Sequence, residues 1–122
     1  HLCETEKMGL ILITHDLAVV SLVTQRIAVM YAGRIVELGD SAQVTQNPGH
    51  PYTQGLLAAL PQNVGRGNRL NQIPGVMPSL TRVPSGCPFH PRCPNCADIC
   101  RSEVPPLTPK ARGCLAACHL LD

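Results

Sequence analysis

Residues 86–100 read GCPFHPRCPNCADIC, four cysteines and three prolines in one short run. Each proline fixes φ and removes a backbone donor, so no long helix or strand ladder can pass through it. A segment this short also buries too little apolar surface to offset the entropy of ordering it. Residues 87–118 hold six of the seven cysteines, and a cross-link would supply what the missing core does not. Cys87, Cys93, Cys100 and Cys118 are spaced C-x5-C-x6-C-x17-C, with Cys96 and Cys114 interleaved.

The kind of cross-link depends on the compartment. No apolar run approaches the ~20 residues of a membrane-spanning helix, and the N-terminus lacks the basic start and small-residue cleavage site of a signal peptide. The chain therefore reads as soluble and intracellular, where thiols stay reduced and a disulfide framework is disfavoured. Metal ligation leads, because soft thiolates suit zinc or an iron–sulfur cluster. Only Cys93-Pro94-Asn95-Cys96 forms a short paired knuckle, so the spacing leaves both metals open, with iron–sulfur slightly ahead. The plainer alternatives are reduced, buried cysteines or a disulfide pair. His90 and His119 stand beside the cysteines as further candidates, although such histidines more often lie at the surface. Thiol catalysis is disfavoured, since no cysteine is set apart with an acid or base partner. Cys3 stands alone and reads as a small buried hydrophobe.

The rest of the chain is more regular. Leu10-Ile11-Leu12-Ile13 is an unbroken apolar run of the kind that forms a parallel strand covered on both faces. Asp16 is placed to cap a helix over residues 17–25. Two segments rich in β-branched residues, 26–31 and 34–38, flank Ala32-Gly33 and predict a hairpin. Asp40 and Ser41 open a short helix to Gln46, which Asn47-Pro48 ends, and Pro51 leads a helix over 52–60. Ten of the twelve prolines lie from Pro61 onward, which places a boundary there and makes 61–86 an extended connector that docks on something else. With one Phe, two Tyr and no Trp, the core is expected to be aliphatic. A net charge of +2 and so few aromatics argue against nucleic acid.

His15 directly succeeds the apolar run and Thr14, where open α/β sheets bind ligands and an imidazole can meet a phosphate oxygen or an attacking water. Alone, such a histidine is usually just half-exposed. Its setting, LILITHDL, strongly resembles the switch-histidine motif of ABC transporter ATP-binding subunits. The segment AVMYAGRIVELG is similar to the stretch immediately C-terminal to that motif in the same family. NPGHPYT with Leu56-Leu57, then Ile73-Pro74-Gly75 and GCPFHPRCP, resembles the C-terminal extension of the oligopeptide, dipeptide and nickel importer branch. The resemblance runs from about Met8 to Leu120.

The resemblance implies an α/β fold: a fragment of a P-loop-type ATP-binding domain, with strand-helix, β-hairpin and short helices, in residues 1–60. An irregular Cys/Pro-rich extension occupies 61–122. His15 would be the catalytic and nucleotide-contacting switch histidine, and Cys87, Cys93, Cys100 and Cys118 would hold a [4Fe-4S] cluster, with zinc as the alternative. Cys96 and Cys114 depart from the usual pattern. ATP and Mg2+ would be cofactors of a parent subunit, bound mostly by upstream residues. Expected partners are membrane permease subunits, a second ATP-binding subunit and, indirectly, an external substrate-binding protein, with the protein peripheral at the cytoplasmic face of the membrane.

No phosphate-cradling G-x-x-x-x-G-K-[ST] loop occurs in the chain, nor the family's signature loop or magnesium-orienting carboxylate pair. The chain also opens on His1, with its first methionine at Met8. It is therefore expected to be the C-terminal piece of a longer subunit, inactive toward ATP by itself. The competing expectation is a stand-alone metal-binding or iron–sulfur interaction or redox module without ATPase activity.

Overall fold

A computed structural model describes residues 2–60, 72–110 and 113–120, with the side chains of Leu2 and Cys3 excepted, so the expectation for Cys3 lies outside the described residues. Helix α1 is Leu2–Glu6, and α2 is Leu17–Val23. Asp16 caps α2 as expected, its carboxylate accepting the Val19 N–H at 3.2 Å. The chain then runs through strands β1, Arg26–Tyr31, and β2, Arg34–Asp40, before the short helix α3, Ser41–Gln46. Helix α4 is Pro51–Ala58. Beyond it come a 3-10 turn at His90–Arg92, helix α5 at Asp98–Ser102, and two-residue strands β3, Thr108–Pro109, and β4, Leu115–Ala116.

The hairpin forms because β1 alternates outward and inward, burying Ile27, Val29 and Tyr31, and because Ala32 and Gly33 both take positive φ (50° and 80°) in the turn. A bulge interrupts the pairing: Val29 faces Glu37, whereas Met30 faces Ile35. The extra residue breaks the two-residue period, so Val36 and Glu37 are both buried.

The sheet is antiparallel, in the order β1-β2-β4-β3. The parallel strand expected at residues 10–13 does not form. Ile11 and Ile13 are 89% and 93% exposed, because no other described segment pairs with this run or covers it. The sheet gains its third and fourth strands from the other end of the sequence, with Glu37 opposite Ala116 and Leu38 opposite Leu115.

The expected aliphatic core is also corrected. Tyr31, Tyr52 and Phe89, all the chain's large aromatics, meet at its centre. Ring centroids lie 4.7 Å apart for Tyr31 and Tyr52, 5.2 Å for Tyr31 and Phe89, and 5.5 Å for Tyr52 and Phe89. Edge-on pairs of this kind contribute about 0.5–1.5 kcal/mol each beyond the area they bury. Val29, Val36 and Val44 surround them, and Cys87 and Cys100 belong to the same cluster. The proline-rich tail thus packs on the hairpin and α4. Of the expected connector, residues 61–71 lie outside the described residues and 72–86 form neither helix nor strand. Among the described residues, no helix is long and apolar enough to cross a membrane.

Candidate functional site: a four-cysteine cavity and a solvent-facing histidine

Gly86 turns the chain at φ 73° into Cys87, whose N–H donates to the Cys100 carbonyl at 2.8 Å. The Cys87 carbonyl accepts the His90 N–H at 3.0 Å, starting the 3-10 turn, and the Cys93 N–H closes it on the His90 carbonyl at 3.3 Å. Cys100 lies within α5, and Cys118 lies just beyond β4. These four backbone placements bring Cys87, Cys93, Cys100 and Cys118 around one small cavity walled by Phe89 and His50. His90 and His119 border it too, with ring nitrogens engaged by the carbonyls of Cys87 (2.9 Å) and Glu103 (2.7 Å).

The electrostatics of the cavity are set by burial. Loss of water raises the Cys87 thiol above its ordinary value, a Phe89 N–H partly offsets this, and the neighbouring thiols Cys100, Cys118 and Cys93 push it further up. Cys93 is raised likewise, mainly by burial, against the pull of the Asn95 N–H. A cation bound in the cavity would oppose these effects and favour the thiolates of Cys87 and Cys93. Among the described residues, however, no group of three or more His, Cys, Asp or Glu is arranged to hold a single metal ion.

The two interleaved cysteines stand apart from the cavity. The Cys96 thiol donates to the Ala97 carbonyl at 3.5 Å. Cys114 is buried, with its thiol directed at Glu37 Oε1 over 3.6 Å. That carboxylate accepts the Gly49 N–H at 2.6 Å and the His50 N–H at 3.0 Å, fixing the entry to α4. His50 in turn caps α4: its Nδ1 accepts the Tyr52 N–H at 3.0 Å, while the other side of the ring bonds the Ala117 backbone. Burial pulls its pKa down to about 4.

The sequence did not single out Glu37, His50 or Arg92. The only signal for His50 is its position immediately before a helix-leading proline, which is an N-cap position. His15 lies elsewhere, in an exposed bend before α2, and does not line the cysteine cavity.

With this geometry in view, comparison with known proteins assigns the class. Residues 36–100, more than half of the chain, match the family model for the oligopeptide/dipeptide transporter, C-terminal region, and the chain belongs to that family. It is 48% identical over 116 residues to the dipeptide transport ATP-binding protein DppD of Escherichia coli (strain K12), covering 95% of this chain and 36% of that protein. It is 48% identical over 110 residues to the oligopeptide transport ATP-binding protein OppD of the same organism, covering 90% of this chain and 32% of the relative. The chain thus spans about a third of the length of the curated relatives it matches.

Proposed function

We propose that the chain is the C-terminal part of the ATP-binding subunit of a peptide-type ABC importer, coupling ATP binding and hydrolysis to transport of oligopeptides or dipeptides. The observation that carries this is the family match, supported by relatives named as dipeptide and oligopeptide transport ATP-binding proteins. Nickel remains within the proposed cargo range on the sequence resemblance alone. Residues 1–60 are taken as the end of the ATP-binding domain and 61–122 as the extension. The permease subunits, the second ATP-binding subunit and the external binding protein are its proposed partners at the cytoplasmic membrane face.

His15 would contact the γ-phosphate and hold the hydrolytic water. Its exposure leaves the imidazole available to a nucleotide whose other contacts come from further sequence. In the complete subunit, His15→Ala is expected to lower kcat by at least about tenfold while changing nucleotide affinity far less. Equal losses in both would refute this role.

For the four cysteines the proposed group is a [4Fe-4S] cluster. A cube takes one thiolate at each of four irons, so its ligands surround a body of several atoms and need not converge on one point. This accommodates the shared cavity and the lack, among the described residues, of a group arranged to hold a metal ion. When bound, the cluster would clamp the tail to the hairpin by making metal binding part of the folding free energy. Anaerobic purification with iron, sulfide and zinc analysis tests it: about four irons and four sulfides per chain are expected, and zinc alone would overturn the assignment. The tail is joined to the hairpin, with β4 pairing with β2 and Phe89 packing on Tyr31.

A further inference from the structure

Cys96 is the half-buried thiol left over once the cavity and the Glu37 network are accounted for. Pro94 and Asn95 form the centre of a tight turn, making Cys93 and Cys96 its first and fourth residues. Such a turn holds its ends within about 7 Å between Cα atoms, which overlaps the roughly 4.4–6.8 Å that a disulfide requires. Cys93, Cys96 and Cys118 are half-buried, whereas Cys87, Cys100 and Cys114 are buried; of the three that a small dissolved disulfide can reach more readily, Cys93 and Cys96 share the turn. Pro94 stiffens the turn and limits the separation of its ends.

We propose that Cys93 and Cys96 are a thiol–disulfide redox pair, oxidised by low-molecular-weight disulfides such as oxidised glutathione. One thiolate of the pair attacks a glutathione disulfide sulfur, forming a mixed disulfide and releasing the first glutathione thiolate. The other thiolate then attacks the protein sulfur of that mixed disulfide, closing the Cys93–Cys96 bond and releasing the second glutathione. Two protein thiols are oxidised, one glutathione disulfide is reduced to two thiols, and the two cysteine protons pass to the glutathiones. Cys93 thereby leaves the four-cysteine set, so the oxidised chain cannot load a cluster. That consequence alone rests on the cluster reading.

The test uses the full chain, reduced and metal-free, exposed to oxidised glutathione, alkylated, and mapped by tandem mass spectrometry. Two thiols should be protected and linked as Cys93–Cys96, and dithiothreitol should restore both. In Cys96→Ser, Cys93 should instead accumulate as a glutathione adduct. A bond mapped to any other pair in the unsubstituted chain, or continued alkylation of both thiols, overturns the proposal. Iron and sulfide loading is then compared before and after oxidation: the reduced chain should load and the oxidised chain should not. If the reduced chain fails to load, the cluster reading falls, and the thiol map alone decides the redox pair.

Discussion

The Arg92 guanidinium donates to the Tyr31 hydroxyl at 3.2 Å, joining residues 61 positions apart in the chain. Its central carbon also lies 5.9 Å from the Tyr31 ring centroid. Nε and Nη2 donate to the carbonyls of Pro74 (2.9 Å) and Ile73 (3.4 Å), so one side chain ties the connector, the cysteine segment and the hairpin together. Lysine cannot reproduce this fork. Arg92→Lys is expected to lower stability by about 1–2 kcal/mol, read as a lower urea midpoint with an unchanged slope.

Glu37 is fully buried and accepts two backbone N–H groups. Glu37→Gln turns an amide N–H2 toward one of these donors and leaves it without an acceptor. A loss of about 2–3 kcal/mol is expected, and Glu37→Ala, which leaves both donors unanswered, should cost more. Thermal unfolding of the two variants beside the parent checks the order.

The pH response originates in His50. Its pKa is about 4 in the fold against 6.5 for an ordinary imidazole. The unfolded chain therefore takes up the proton first as pH falls. The stability tied to the neutral ring is fully present above about pH 6.5 and is lost progressively toward pH 4, amounting to something on the order of 3 kcal/mol. Urea midpoints across this range should fall for the parent chain. His50→Asn keeps a capping acceptor but cannot titrate, and its profile should be flatter.

Gly86 admits no side chain. At φ 73°, a Cβ there would fall on the Cys100 carbonyl oxygen and lie 2.7 Å from the Arg101 carbonyl carbon. The Cys100 carbonyl is the one holding the Cys87 N–H, so the clash would pull Cys87 away from Cys100. Gly86→Ala is expected to cost about 2–4 kcal/mol and to reduce iron loading if the cysteines carry a cluster. Unfolding and metal content measured together separate the two effects.

The parts of the fold set by neighbours in sequence were legible beforehand. Asp16 as a cap, the turn at Ala32-Gly33 and the helix after Pro51 each rest on local chemistry, and all three appear. The apolar run at residues 10–13 misled because its pattern describes a strand with partners on both sides, and no described segment supplies them. Strands β3 and β4 carry only two residues each, too few to show a period. Glu37 was hidden by the bulge, since a charged residue in an alternating strand reads as solvent-facing until the period slips. Of the candidate site, the four cysteines picked out by spacing and resemblance do share one cavity. The His50 cap has a local signal in its place before Pro51, whereas the contacts of His50 with Ala117 and of Arg92 with Tyr31 join distant segments, which no local pattern encodes.

The pairing of Glu37 with Ala116 has a temporal consequence. On the ribosome, β2 is made before β4, and its outer edge must wait, with bare amides and carbonyls, until residue 116 has emerged. Termination or proteolysis before that point would leave an adhesive strand edge open to pairing with other chains.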